Sequence, residues 1–119
     1  MENIIKDKCF LFAVRVVKLC RFLREEKKKF ILSKQLLRSG TSVGANVAEA
    51  QHAQSRADFR SKMEIALKET SETKYWLRLM KETDYLNQKE FDSIYPDCIE
   101  LERILVSIVK RMKNEIVTK

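Results

Sequence analysis

Residues 36–50 read LLRSGTSVGANVAEA, and most of the fold can be argued from this stretch. It holds both glycines of the chain, Gly40 and Gly44, among alanines and small hydroxyl residues. On a helix, residues four apart lie on one face, one turn from each other. Each interior glycine costs a helix about 1 kcal/mol relative to alanine. We therefore predict that a second helix packs at short range against Gly40 and Gly44, a pair called the glycine seam below.

The composition predicts an all-α protein. The chain has 119 residues, of which 45% are hydrophobic and 34% are charged, a balance that excludes intrinsic disorder. Only two glycines and one proline are present, too few for the many tight turns of an all-β fold. The length is that of one domain, which we expect to span residues 1–119.

Apolar spacing and helix-start signals predict four helices. The first should cover residues 3–26 and the second residues 31–54. Capping boxes at 55–58 and 87–90 should start the third helix, which runs to about residue 81, and the fourth. Pro96 predicts a kink or a short break near residues 94–95. Because the connections are short, we expect an antiparallel up-down-up-down four-helix bundle.

The first helix is apolar on more than one face. One row follows the 3-4 spacing and is predicted to face the bundle: Ile4, Phe10, Leu11, Ala13, Val14, Val17, Cys20 and Leu23. A second set widens the apolar surface, and a further patch lies near the end of the third helix. Monomers rarely expose patches of that size. These residues are the predicted interface of a homo-oligomer: Val16, Leu19, Phe22, Tyr75, Trp76 and Leu79.

Three polar residues of the second helix stand out, namely Arg38, Asn46 and Glu49. Arg38 and Glu49 share a face, and Asn46 borders it. Two interpretations stay open for these side chains. They form a half-buried polar network, with the third helix contributing partners, or they contact a ligand or a partner protein.

The charge favours a polyanionic partner. The formal net charge is +7 and the isoelectric point is about 9.4. An antiparallel bundle gathers nine basic and four acidic residues at the end that holds both termini, and seven basic and five acidic residues at the other. The predicted phosphate contacts at the more basic end are Arg56, Arg60, Lys62, Lys110, Arg111 and Lys113. The alternatives are a merely solvated surface or one that docks an acidic protein.

The aromatic residues bear on the kind of binding. Tyr75, Trp76, Tyr85 and Tyr95 cluster toward the less basic end. Binders of single strands place stacking aromatics among their basic residues. This placement therefore favours recognition of backbone phosphates over base stacking.

No constellation for catalysis or metal binding is found in the sequence. The single histidine, His52, cannot supply a zinc site or the paired Glu-x-x-His of a di-iron bundle. GTSVG lacks the lysine and hydroxyl residue of a phosphate-binding loop. We predict no enzyme activity, cofactor, metal or small-molecule substrate. Unpaired cysteines and the lack of a long apolar run predict a cytoplasmic protein that does not enter membranes.

Three segments carry a family resemblance: NIIKDKCFLFAVRVVKL (3–19), LSKQLLRSGTSVGANVAEAQ (32–51) and SRADFRSKMEIALKETSETKYWLRLM (55–80). They resemble the bacterial four-helix-bundle proteins encoded in intervening sequences of 23S ribosomal RNA genes. The accessory protein of diversity-generating retroelements is similar in fold. The resemblance implies a ring-shaped homopentamer with a basic surface, and it supplies no catalytic residues.

Together, these observations predict a non-enzymatic oligomer that binds structured RNA, either ribosomal RNA or its intervening sequence. The competing hypothesis is a structural or protein-interaction module whose basic surface docks an acidic partner protein.

Overall fold

A computed structural model of the protein describes residues 2–117, with side chains over residues 4–114. Four helices occupy this part of the chain: α1 (Glu2–Glu25), α2 (Ile31–Ala50), α3 (Arg56–Glu82) and α4 (Gln88–Val117). The bundle is elongated, with extents of 52 × 22 × 22 Å. No strand occurs within residues 2–117, and the predicted all-α class is confirmed.

Contacts between the helices give the topology. Each helix packs on the next, and α4 also packs on α1. The cross-helix pairs run in opposite directions along the chain: Lys8 meets Glu100 while Arg15 meets Asp97, and Glu49 meets Lys62 while Ser39 meets Thr73. Neighbouring helices are therefore antiparallel, and the predicted four-helix bundle is confirmed.

Both predicted capping boxes start helices. The N–H of Asp58 donates to Ser55 Oγ at 3.0 Å, and the Asp58 carboxylate accepts from the N–H of Gln54. At α4 the bonds are reciprocal: the N–H of Glu90 donates to Asn87 Oδ1 at 2.8 Å, and the N–H of Asn87 donates to Glu90 Oε1 at 2.9 Å. These bonds satisfy helix-terminal N–H groups that have no partner within the helix.

Two helix bounds differ from the prediction. The second helix ends at Ala50, four residues early, because the N–H groups of residues 51–53 bond three residues back and tighten the last turn. Of the predicted kink or short break near residues 94–95, the break is wrong, since α4 runs without interruption through Pro96. Pro96 and Asp92 are both exposed. Water can therefore bond to the Asp92 carbonyl that the proline leaves without a helical donor.

The face of α1 that enters the core differs from the prediction. The buried row is Ile5, Cys9, Phe12, Val16, Cys20 and Leu23. Three residues predicted to face inward, Ile4, Phe10 and Leu11, are 58%, 67% and 62% exposed. Both rows satisfy the 3-4 spacing, so periodicity alone could not choose between them. The choice depends on which row fits against the glycine seam.

Candidate nucleic-acid interface and assembly surface

The glycine seam lies against α1. A Cβ atom at position 40 would stand 2.9 Å from both γ carbons of Val16. At position 44, a Cβ atom would stand 3.3 Å from the backbone carbonyl oxygen of Cys9. The first distance is shorter than ordinary carbon–carbon contacts of about 3.5–4.0 Å, and the second is tighter than most contacts that real Cβ atoms make. The two glycines therefore let α1 and α2 approach at a range that no other residue permits without movement.

Val16 does not belong to the predicted oligomer interface on α1. Its side chain is fully buried and occupies the space that a Cβ at position 40 would need, so it belongs to the core. Leu19 is half-buried against the core, and Phe22 is 38% exposed.

The predicted patch on α3 is also smaller than expected. Trp76 packs against the core and its indole N–H donates to Glu72 at 2.9 Å. Leu79 is half-buried. Tyr75 is 60% exposed, and its ring meets that of Trp76 edge to face at 5.2 Å between centroids. Of this patch, only Tyr75 presents most of its side chain to solvent.

An apolar groove of about 560 Å³ lies between α1 and α2, on the outer side of the seam. Phe10 and Leu11 form one wall, and small residues of α2 form the other. This surface was not predicted from the sequence, because Phe10 and Leu11 were assigned to the core. Spacing could not have placed them outside, since only the fit of Cys9 and Val16 to the glycine seam distinguishes the two rows. The groove is lined by Lys6, Asp7, Phe10, Leu11, Ala13, Thr41, Gly44, Ala45 and Ala48.

The three polar residues of α2 do not form a single network. Arg38 reaches α3, where it donates to Glu72 and, at 3.2 Å, to Glu69. Asn46 donates to the Ser42 carbonyl of its own helix at 2.9 Å.

Glu49 pairs instead with Lys62 at 3.2 Å. Arg38 and Glu49 therefore both contact α3, but at separate places, and only Arg38 belongs to a network. It joins Arg38, Glu69, Glu72 and Trp76 on the surface between α2 and α3.

Glu72 is the centre of this group. The hydrogen bond from the Trp76 indole, followed by the one from Arg38, lowers the pKa of its carboxyl below the ordinary value. Both donors bond to the charged form, and this favours ionisation. The guanidinium of Arg38 is about half exposed, so the group orients side chains more than it stabilises the fold.

At the more basic end, the six predicted phosphate contacts fall into two sets. Lys110, Arg111 and Lys113 lie exposed along the last turns of α4, and Arg56 is exposed at the start of α3. Arg60 and Lys62 are less exposed, and they pair with Glu64 at 3.6 Å and with Glu49 at 3.2 Å, respectively. We call Arg56, Lys110, Arg111 and Lys113 the basic rim.

The opposite end holds more uncompensated charge than the sequence count suggested. Five basic residues occur there between Arg21 and Lys29, and none of them forms an ion pair with another described residue. Lys29 instead sits over the Tyr85 ring at 4.8 Å, and Lys27 over the Phe22 ring at 5.8 Å. The predicted polarity of charge along the bundle is therefore weaker in the folded protein.

The remaining reactive groups are dispersed. Cys9, Cys20 and Cys98 are buried and unpaired, and burial raises the pKa of each thiol from 9.0 to about 12. His52 is exposed beyond the end of α2. Within the described residues, no cluster of three His, Cys, Asp or Glu side chains could hold a metal ion. None of the helices there is both long and apolar enough to cross a membrane.

A model of the 23S rRNA-intervening sequence protein family matches residues 1–107. The chain belongs to this family. A crystal structure of a protein of unknown function from the S23 ribosomal protein family of Bacteroides thetaiotaomicron is similar, with 53% identity and a TM-score of 0.89. The match covers 92% of this chain and 97% of the Bacteroides chain. A comparison with curated proteins gave no significant match.

Proposed function

We propose that this family member is a non-enzymatic oligomer that binds structured RNA through phosphates in the cytoplasm. The RNA would be ribosomal RNA or the intervening sequence for which the family is named. The observation that carries the proposal is the basic rim. Lys110 and Lys113 are exposed, lie one turn apart on α4, and form no ion pair with another side chain of residues 4–114.

The antiparallel fold supports the rim as a single surface. It brings the last turns of α4 to the same end as the start of α3, so Arg56 joins Lys110 and Lys113. Arg60 and Lys62 lie farther along α3 and are compensated by Glu64 and Glu49. Such half-exposed pairs are worth about 0–1 kcal/mol, so a phosphate can displace the carboxylates at small cost.

The apolar groove supports the oligomeric part of the proposal. Phe10 and Leu11 remain more than 60% exposed in one chain. Burying large apolar side chains contributes about 1.5–3 kcal/mol each, so a second copy would gain stability by covering them. A cyclic oligomer, with a pentamer expected from the family resemblance, would place every basic rim on one side and multiply the +7 charge of a chain.

A binding experiment tests the function. A fluorescently labelled RNA hairpin is titrated with the protein at low salt, and the change in anisotropy gives the affinity. We expect binding that the double substitution Lys110→Glu/Lys113→Glu weakens strongly. The matched control is Arg78→Glu/Arg103→Glu, which makes the same change of charge at two exposed positions outside the rim.

Competition separates the two functional classes. If an acidic polypeptide displaces the hairpin as well as unlabelled RNA of equal charge does, the surface docks acidic proteins and the RNA proposal fails. Equal losses from the rim and control variants would refute the rim and leave only a general charge effect.

A further inference from the structure

A second groove lies at the end of the bundle opposite the basic rim. It has a volume of about 460 Å³ and runs between the last turns of α1 and the start of α2. This volume falls within the usual range for small-ligand pockets, about 300–1,000 Å³. The lining residues are Val17, Cys20, Arg21, Arg24, Glu25, Lys28, Phe30 and Leu37.

The groove is basic and its charge is not compensated. Arg21, Arg24 and Lys28 are exposed on its wall against one carboxylate, Glu25. None of the three forms an ion pair with another side chain of residues 4–114. By contrast, Arg60 and Lys62 at the other end are already paired within the chain. The cations of this groove are therefore available to an anion without breaking an internal contact.

An aromatic ring stands among these cations. Phe30 lines the groove and is 53% exposed. Proteins that bind single-stranded nucleic acids combine exposed aromatic side chains with arginine and lysine in this way. Phosphates contact the cations, and an unpaired base stacks on the ring. A duplex keeps its bases stacked inside and presents no base face to Phe30.

The backbone fixes one of the cations at the groove. Lys28 has a φ angle of 58°, in the left-handed region that favours glycine. It ends α1 in a turn that is closed by the N–H of Lys29 donating to the Leu23 carbonyl at 2.8 Å. Glycine would suit this backbone better, so position 28 offers a substitution that removes a cation without straining the fold.

We propose that this groove binds a single-stranded segment of nucleic acid, with a base stacked on Phe30 and phosphates on Arg21, Arg24 and Lys28. The site is separate from the basic rim, and it binds single-stranded nucleic acid, whereas the rim binds structured RNA. A structured RNA that carries an unpaired loop or end could occupy both sites. The prediction from the sequence disfavoured base stacking and did not consider Phe30, which lines this groove.

The test compares two labelled probes of equal length at low salt, an oligouridylate of about ten nucleotides, within the usual range of single-strand site sizes, and an RNA duplex. Phe30→Ala should weaken oligouridylate binding by about 5- to 150-fold, the range that one lost stacking contact of about 1–3 kcal/mol gives. It should leave duplex binding within about twofold of the parent, because a duplex has no unpaired base to stack on Phe30. Tyr75→Ala, which truncates an exposed aromatic outside the groove, is the matched control.

Lys28→Gly provides a second variant, since it should melt no lower than the parent and still bind oligouridylate less tightly. Parent-like oligouridylate binding by both Phe30→Ala and Lys28→Gly would overturn the proposal, as would a parent protein that binds no oligouridylate. Displacement of the oligouridylate by polyglutamate of equal charge would assign the groove to acidic proteins instead. The rim variant Lys110→Glu/Lys113→Glu separates the two sites. Its loss of duplex binding tests the proposed function alone, because a duplex presents no unpaired base to the groove, and the loss of oligouridylate binding by Phe30→Ala tests this groove alone.

Discussion

Gly44 lies against the main chain of Cys9, where a Cβ atom on α2 would stand 3.3 Å from the Cys9 carbonyl oxygen. One turn earlier, the space beside Gly40 is filled by the side chain of Val16. The first contact is with backbone, which cannot rotate away, and the second is with a stiff β-branched side chain. The seam therefore sets both the distance between α1 and α2 and the face of α1 that is buried.

Enlarging Gly44 should destabilise the bundle. Gly44→Leu must push α1 away at Cys9, and we expect a loss of about 1–3 kcal/mol or more in the free energy of unfolding, as for overpacked cores. Lys34→Leu, at an exposed position of the same helix, is the control. Urea unfolding followed by circular dichroism measures both. A Gly44→Leu protein as stable as the parent would refute the close packing.

Gly40 and Val16 should be energetically coupled. Gly40→Ala places a methyl group 2.9 Å from the Val16 γ carbons, whereas Val16→Ala removes those carbons. The cost of Gly40→Ala should therefore be smaller in the Val16→Ala background, with a coupling on the order of 0.5–3 kcal/mol. A double-mutant cycle by urea unfolding measures the coupling, and strictly additive effects would contradict the contact.

Acid should weaken the group around Glu72. Its carboxyl pKa is lowered in the folded state, so the bonds from Trp76 and Arg38 contribute stability above the ordinary pKa of a glutamate. This contribution is lost as the pH falls through the lowered value. Replacing Arg38 with Ala should raise the Glu72 pKa toward normal, and an NMR titration of the Glu72 carboxyl would show it. An unchanged Glu72 pKa in Arg38→Ala would contradict the role given to Arg38.

The buried thiols predict a second pH effect, at the alkaline end. Burial raises the pKa values of Cys9, Cys20 and Cys98 to about 12, so the folded thiols stay neutral while unfolded ones ionise above about 9. Stability contributed by the neutral thiols is complete below that pH and falls as the pH rises toward 12. A thiol reagent at pH 8 should label the native protein slowly and the urea-unfolded protein fast. Rapid labelling of the native protein would place a cysteine at the surface.

Self-association should depend on the apolar groove of α1. In the proposed oligomer Leu11 is buried against a second copy, so the charge introduced by Leu11→Glu should lower the mass in solution. Val106→Glu is the control, because it introduces the same charge at an exposed position of α4 and should leave the mass unchanged. Light scattering at micromolar concentration measures the mass of each protein. A parent protein of monomeric mass would exclude the oligomer, and a dimer would exclude the number taken from the family.

The sequence was sufficient for the number of helices, their order and the capping boxes, since these depend on local spacing and on side chains within one turn. It was not sufficient for the orientation of α1. Two rows with the same periodicity compete there, and only the fit of Val16 and Cys9 to the glycine seam chooses between them. Pairings such as Lys62 with Glu49 also depend on contacts between helices. The net charge could therefore be counted from the sequence, but the ion pairs between helices could not be predicted from it.

The salt dependence of RNA binding tests whether the basic rim recognises phosphates. For a structured RNA, the logarithm of the affinity should fall linearly with the logarithm of the salt concentration, and each phosphate contact contributes about 0.7–0.9 to the slope. Lys110→Glu/Lys113→Glu should reduce that slope by about 1.4–1.8, the share of two contacts, while Arg78→Glu/Arg103→Glu leaves it near that of the parent. Binding that ignores salt, or a slope that the rim variant leaves unchanged, would contradict recognition of phosphates by the basic rim.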